Sequence, residues 1–532
     1  MKLNPLLLTA GAVVLPGAAF AQGLPALDLD LVPLGTYESG LFDESAAEIV
    51  AHDPNTQRLF VVNAFANTID IVSIADPSNP TLVSTVDMSV YGGGLNSIDV
   101  GRGKVTGLGG TTFAPILAVA VANDTDQGKA VFLDTDGGFL SSVDVGYGPD
   151  MITFTPSGNY VLTANEGEPN DDYTIDPVGS ISVIDMFGPV NTLDQSKVRE
   201  AGFEAFNGQD LPGVRIFGPG ASVAQDMEPE FIAVSKNSRR AFVACQENNA
   251  LAVVDIQAAT VLDIVPLGTK DHSLPGNELD ASNKDDVINI QNWPVKGFYM
   301  PDTIKFMRTP SGDFLVTANE GDSRDYDGYS EEERIKDLVL DPTVFPDAAN
   351  LQLDANLGRL KTTTANGDID DDGDVDELYC YGARSFSIWG LDGSLVFDSG
   401  AQFEQLIAAN DPLDFNSTND ENDSFDNRSD DKGPEPEGLE VGRLYGRRVA
   451  FVGFERHSAI VAYDCTIPSA PAFIGYYSNR DFAGDAAAGT AGDLGPEGML
   501  FIPQGQSPTG TPLLVIGNEV SGTTTIWEIQ KL

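Results

Sequence analysis

Nine residues, Asp368-Ile369-Asp370-Asp371-Asp372-Gly373-Asp374-Val375-Asp376, place acids at positions 1, 3, 5, 7 and 9 around a glycine at position 6. A sharp turn at the glycine lets alternate carboxylates converge, and oxygens converging at that spacing suit a hard cation such as Ca2+. Position 12 is Tyr379 rather than the bidentate glutamate of a complete calcium loop. A calcium site formed by Asp368, Asp370, Asp372 and Asp374 therefore needs a ligand borrowed from elsewhere in the fold. The alternative is a solvated acidic loop.

A second set of acids recurs by place in a repeated unit. Asp150, Glu230, Asp302, Glu437 and Glu497 stand just before apolar stretches that read as strands, while Asp124, Glu166, Glu247, Glu320, Glu455 and Glu519 follow the next strand along. Residues 300–327 show the unit plainly: Asp302, alternating Ile304 and Phe306, the turn Thr309-Pro310-Ser311-Gly312, the run Phe314-Leu315-Val316, then Glu320. A hairpin returns to the edge it started from, so both acids of a unit lie on one side. The unit returns from Pro149-Asp150 to Asn165-Glu166, from Pro229-Glu230 to Gln246-Glu247, from Pro436-Glu437-Gly438 to Glu455, and from Pro496-Glu497-Gly498 to Asn518-Glu519. Degenerate copies around Glu48 and Ser97 bring the count to seven.

Carboxylates converging from such units raise one another's pKa unless a cation compensates. The ring reads either as a divalent-ion site, with calcium expected and a second divalent ion or iron beside it, or as carboxylates accepting bonds from loop amides. Arg324, Arg384, Arg428 and Lys432 interrupt the acidic loops. They could clamp an oxyanion beside a metal, because guanidinium forks match phosphate and carboxylate, or simply pair with loop acids. Of three histidines only His457, two residues after Glu455, is placed near the ring. No phosphate loop, GxSxG elbow or HExxH pair is present.

Seven repeats of four strands imply an all-β fold, a seven-bladed β-propeller. Asp28-Leu29-Asp30-Leu31-Val32-Pro33-Leu34-Gly35-Thr36 copies Leu262-Asp263-Ile264-Val265-Pro266-Leu267-Gly268-Thr269, which follows a third strand, and the last repeat stops after its own third strand. The N-terminal strand is therefore expected to complete the last blade and close the ring. An insertion at about 321–382 interrupts blade five, opening with an expected short helix over residues 331–338. The loops before first strands and after second strands crowd one face, where function is expected.

Residues 1–21 carry an early Lys2, an apolar stretch and Ala19-Phe20-Ala21, and read as a signal peptide cleaved near Ala21, leaving a single domain over 22–532 that is secreted or periplasmic. No later run is long enough for a transmembrane segment. Eighty Asp and Glu against 30 Lys and Arg give a net charge of −50, which excludes nucleic acid as a partner and favours divalent cations. The three cysteines have no metal-ligand spacing and read as buried thiols. A monomer is expected.

The motifs Leu162-Thr163-Ala164-Asn165-Glu166-Gly167-Glu168-Pro169, Ala318-Asn319-Glu320-Gly321-Asp322-Ser323-Arg324-Asp325-Tyr326, Gly382-Ala383-Arg384-Ser385-Phe386-Ser387-Ile388-Trp389 and Asp430-Asp431-Lys432-Gly433-Pro434-Glu435-Pro436-Glu437-Gly438 give the chain its resemblance to the choice-of-anchor I family, which includes mesenchyme-specific cell-surface glycoproteins and proteins described as atypical alkaline phosphatases. The resemblance implies an exported propeller in calcium-rich surroundings and, for some members, phosphoester hydrolysis. Two readings follow. The preferred one is an extracellular or periplasmic calcium-binding propeller whose loop face takes a polymer, mineral or protein. The alternative is a metal-dependent phosphoesterase acting through a metal-activated water.

Overall fold

A computed structural model describes residues 26–107, 109–123 and 125–532; the expected leader, its cleavage site and Asp124 lie outside them. The described chain is all-β, dominated by seven four-stranded antiparallel sheets. Their first strands, in chain order, are Val50–Asp53, Gly94–Gly107, Pro149–Phe154, Ile232–Val234, Ile304–Thr309, Pro436–Leu444 and Pro496–Ile502. Six sheets run in sequence order from first strand to fourth. In the seventh, Leu29–Glu38 lies outermost and pairs antiparallel with Thr523–Lys531, from Leu29 opposite Lys531 to Glu38 opposite Thr523. Each first strand contacts the first strand of the next sheet, and Pro496–Ile502 contacts Val50–Asp53. The architecture is a β-propeller.

Position within a sheet explains composition along each strand. Second and third strands are covered on both faces by neighbouring sheets, so Leu59, Phe60, Val61 and Val62 form an unbroken apolar run that is wholly buried. The outer strand Thr81–Asp87 is exposed along most of its length and mixes Thr and Ser with exposed Leu82 and Val83. Between sheets the side chains interdigitate: Phe60, Val62 and Ile71 of the first sheet pack with Leu117, Val119 and Val131 of the second. Cys245 and Cys465 are free, buried thiols within such layers, and Cys380 is a free, buried thiol in the core of the insertion.

The insertion is not a loop hung on the fifth sheet. Thr269–Asp271 and Lys296–Phe298, from the connection before that sheet, join Tyr379–Cys380 from the end of the insertion in a three-stranded sheet, the last two strands parallel. Trp293, Ile335, Phe345, Leu357 and Leu378 build a separate apolar core beneath it. The helix expected over residues 331–338 is absent. Glu332–Arg334 is a strand paired with Lys361–Thr363, and only Ile335–Asp337 turns, as a single 3-10 turn with no side-chain cap. Two turns of uncapped helix are marginal, and pairing plus burial of Ile335 outweighs them.

Candidate metal centre

Three features of the repeated unit aim its acids. In the third, sixth and seventh sheets the register slips between the opening proline and the strand proper, so that Asp150, Glu437 and Glu497 each fall in a β-bulge. A bulge re-aims the side chain out of the regular alternation, and proline suits the first strand position because it has no N–H to leave unpaired. The glycine after two of these acids has a steric cause: a Cβ on Gly438 would lie 2.4 Å from the Glu497 carbonyl oxygen, and one on Gly498 would lie 2.1 Å from that of Glu48. Neighbouring bulges therefore touch through backbone.

The acids after the second strands are set by the asparagine before them. Asn165 donates to Ser180 Oγ and Ser182 Oγ at 3.1 and 2.9 Å while accepting from Thr163 Oγ1 at 2.8 Å. Asn319 repeats this with Ser385, Ser387 and Thr317 at 3.1, 2.8 and 2.8 Å. A buried, saturated amide pins the strand end, and Glu166 or Glu320 leaves the sheet at a fixed point.

A cavity of about 510 Å3 is lined by residues in, or just before, the first strand of all seven sheets, with Glu48, Asp150, Asp302 and Glu497 at the end where those strands start. Two acidic triads at this end have one oxygen from each member within 4.8 Å of the others: Glu48, Glu497 and Glu519, and Asp302, Glu320 and Glu437. Burial, then the charges of Glu519 and Asp150, pushes Glu48 up to about 8; burial and Glu320 push Asp302 up to about 8. Burial and neighbouring acids also raise Glu166, Glu230, Glu437, Glu455 and Glu497 far above the carboxylate range. Glu247 is pushed up to about 7 and Asp150 to about 6, burial again leading.

Among the described residues, Oε2 of Glu230, Glu247, Glu437 and Glu497 is buried with no hydrogen-bond partner. Buried carboxylate oxygens without a hydrogen-bond partner fit a hard divalent cation, which binds through oxygen and offsets carboxylate repulsion.

A third triad, Glu320, Glu435 and Glu455, is neutralised from within. Arg428, Arg456 and Lys432 approach Glu435 at 2.5, 2.8 and 3.4 Å. Lys432 also reaches Glu320 at 2.6 Å, and Arg456 reaches Glu455 at 3.0 Å. Although fully buried, Glu435 is held below the usual carboxylate range by these three cations. Glu435 escapes the repeat pattern because it precedes Pro436 rather than following it; its only sequence signal is the spacing of three from Lys432.

The other basic candidates are committed elsewhere. Arg324 is buried between Asp226 and Glu228, 2.9 Å from the latter, with its guanidinium 4.5 Å from the Phe217 ring centre. Arg384 is buried against Glu404 at 2.7 Å and the carbonyls of Asp280, Ser429 and Asp431. His457 is buried with Nε2 3.2 Å from Asp411 Oδ2, and burial lowers its pKa.

The loop at 368–376 is exposed and turns as its glycine demands, with Gly373 at φ 99°. Asp368 accepts from the backbone N–H groups of Asp372 and Gly373 at 3.2 and 3.0 Å. Asp368, Asp370 and Asp376 converge within 4.8 Å, as do Asp341, Asp374 and Asp376. Asp341 is brought in by a parallel bridge between Leu340 and Val375. Nothing local in the sequence marks it.

The chain belongs to the choice-of-anchor I domain family, whose pattern matches residues 48–468. It is 34% identical to Gigasin-3a of Magallana gigas over 194 residues, 34% of this chain and 68% of that protein. It is 30% identical to a mesenchyme-specific cell surface glycoprotein of Strongylocentrotus purpuratus over 291 residues, 47% of this chain but only 36% of the relative. Among solved structures it is similar to Kuenenia stuttgartiensis hydrazine synthase, with a TM-score of 0.45 at 12% identity, covering 92% of this chain and 99% of that one.

Proposed function

We propose that this is an exported, surface-associated, seven-bladed β-propeller, closed by its N-terminal strand, that binds divalent cations at the acidic end of its channel and presents them to an extracellular polymer, mineral or protein. The cavity shared by all seven first strands and the pairing of Leu29–Glu38 with Thr523–Lys531 support the blade count and closure. The name of the sea-urchin relative supports the surface location. The observation that carries the reading is the set of buried, orphaned oxygens on Glu230, Glu247, Glu437 and Glu497.

Calcium is the expected ion, because the donors are oxygens alone. Once it is bound, coordination positions not filled by Glu48, Glu497 and Glu519, or by Asp302, Glu320 and Glu437, are open to sulfate, phosphate or carboxylate groups of a partner. A phosphoesterase would use the same ion as a Lewis acid, yet Arg324 and Arg384 are occupied by buried acids, and binding needs neither.

The test is elemental analysis of the purified protein, with phosphomonoester and phosphodiester hydrolysis measured before and after chelation and after add-back of calcium or iron. Bound calcium without turnover is expected. Chelation-sensitive turnover that falls in Glu320→Gln would replace the binding reading with the hydrolase.

A further inference from the structure

A second group of orphaned oxygens lies away from the channel, between the connection preceding the fifth sheet and the polar segment preceding the sixth. Asn416 is 0% and Asp426 2% exposed. Asn416 Oδ1, Asp426 Oδ2 and Asp285 Oδ2 are each buried without a hydrogen-bond partner. The rest of this cluster is fixed. Ser429 Oγ donates to Asp426 Oδ1 at 2.5 Å and accepts from Asn416 Nδ2 at 2.9 Å. Asn416 Nδ2 also donates to Glu404 Oε1 at 3.0 Å, and the other Glu404 oxygen accepts the backbone N–H of Asp280 at 3.0 Å.

Flipping the Asn416 amide would lose both of its donated bonds, so Oδ1 is the atom left over. Asp280 is already served by the N–H groups of Ser282 and Asn289 at 3.3 and 2.5 Å. Arg384, the nearby cation, spends its guanidinium on Glu404 and backbone carbonyls. Burial, then the charges of Asp280 and Asp285, pushes Asp426 up to about 8. Asp285 also raises Asp280, so the acids from the two segments are close enough to repel.

We propose that Asp285, Asn416 and Asp426 hold a divalent cation of the calcium class, distinct from any ion in the channel, with Asp280 supplying further negative charge beside it. Two carboxylate oxygens and one amide oxygen, with no nitrogen or sulfur donor, select a hard ion. Such an ion ties the two segments together. Since one of them continues into Arg428 and Lys432, it also fixes the cations that neutralise Glu435.

The test strips the full protein with a chelator, equilibrates it with calcium chloride, counts bound calcium per chain and compares melting with and without calcium. Asp426→Asn is expected to bind one calcium fewer than the parent and to lose part of the calcium-dependent rise in Tm. Asp285→Asn, made in a more accessible loop, is expected to lose the same ion, whereas Glu497→Gln leaves it in place. Unchanged calcium counts in both Asp426→Asn and Asp285→Asn would overturn the site. If Asp426→Asn fails to fold, the count in Asp285→Asn decides alone.

Discussion

Two halves of one acidic ring solve the same electrostatic problem differently. Around Glu435 the protein supplies its own cations, Arg428, Lys432 and Arg456, and that carboxylate is held ionised despite full burial. Around Glu48 and Glu497 the charges that act are those of other acids, and both groups are driven towards the neutral form by burial first and by one another second. Buried charge is stable only when paired. The first half is therefore a finished structural network, and in the second the proposed divalent cation would take the part that Arg428, Lys432 and Arg456 play in the first.

The largest expected effect falls on the finished half. Glu435→Gln removes the buried charge shared by Arg428, Lys432 and Arg456, which are partly exposed and keep Asp431, Glu320 and Glu455 as partners, and a loss of ~1–3 kcal/mol in stability to chemical denaturation is expected at neutral pH. Its pH dependence has a defined sign. Because the folded-state pKa of Glu435 is depressed, its contribution is present above the ordinary glutamate range near pH ~4.3 and is lost as pH falls below it. The gap between parent and Glu435→Gln should accordingly close on acidification; a gap that widens would contradict the assignment.

In the open half the sign reverses. With metal removed, Glu497→Gln relieves repulsion and should raise stability by about 1 kcal/mol, while in calcium the same variant should be less stabilised than the parent. Denaturant titrations with chelator and with calcium measure both arms. The smallest effect belongs to the exposed loop. Asp372→Asn should change stability by less than ~0.5 kcal/mol, because Asp372 lies in exposed, turn-rich chain.

How much of this was legible in the sequence depended on whether a contact is internal to the repeat. Asp302 and Glu320 could be placed on one edge from the hairpin alone, and the pairing of Leu29–Glu38 with the last strand follows from its copy of the outer strand Thr260–Pro266. Asp341 and the Asp285–Asp426 cluster could not be read, since each depends on how irregular segments far apart in the chain pack together, while Glu435 was missed because it stands before Pro436, outside the repeated position, although Arg428 and Lys432 lie close by in sequence. The loop basics were hardest. Arg324 stands among acids and Arg384 among uncharged residues, yet Asp226 and Glu228 approach the first, and Glu404 the second, from distant segments. The 331–338 stretch misled for the same reason, its strand partner lying at Lys361–Thr363.

The central claim is tested most directly by calorimetric titration of calcium into metal-stripped protein, parent against the double variant Glu437→Gln/Glu497→Gln. The account predicts that the parent shows binding at the channel which the double variant lacks, with the remaining sites unchanged. Identical isotherms for the two proteins would contradict it and leave the channel acids as protonated, metal-free neighbours.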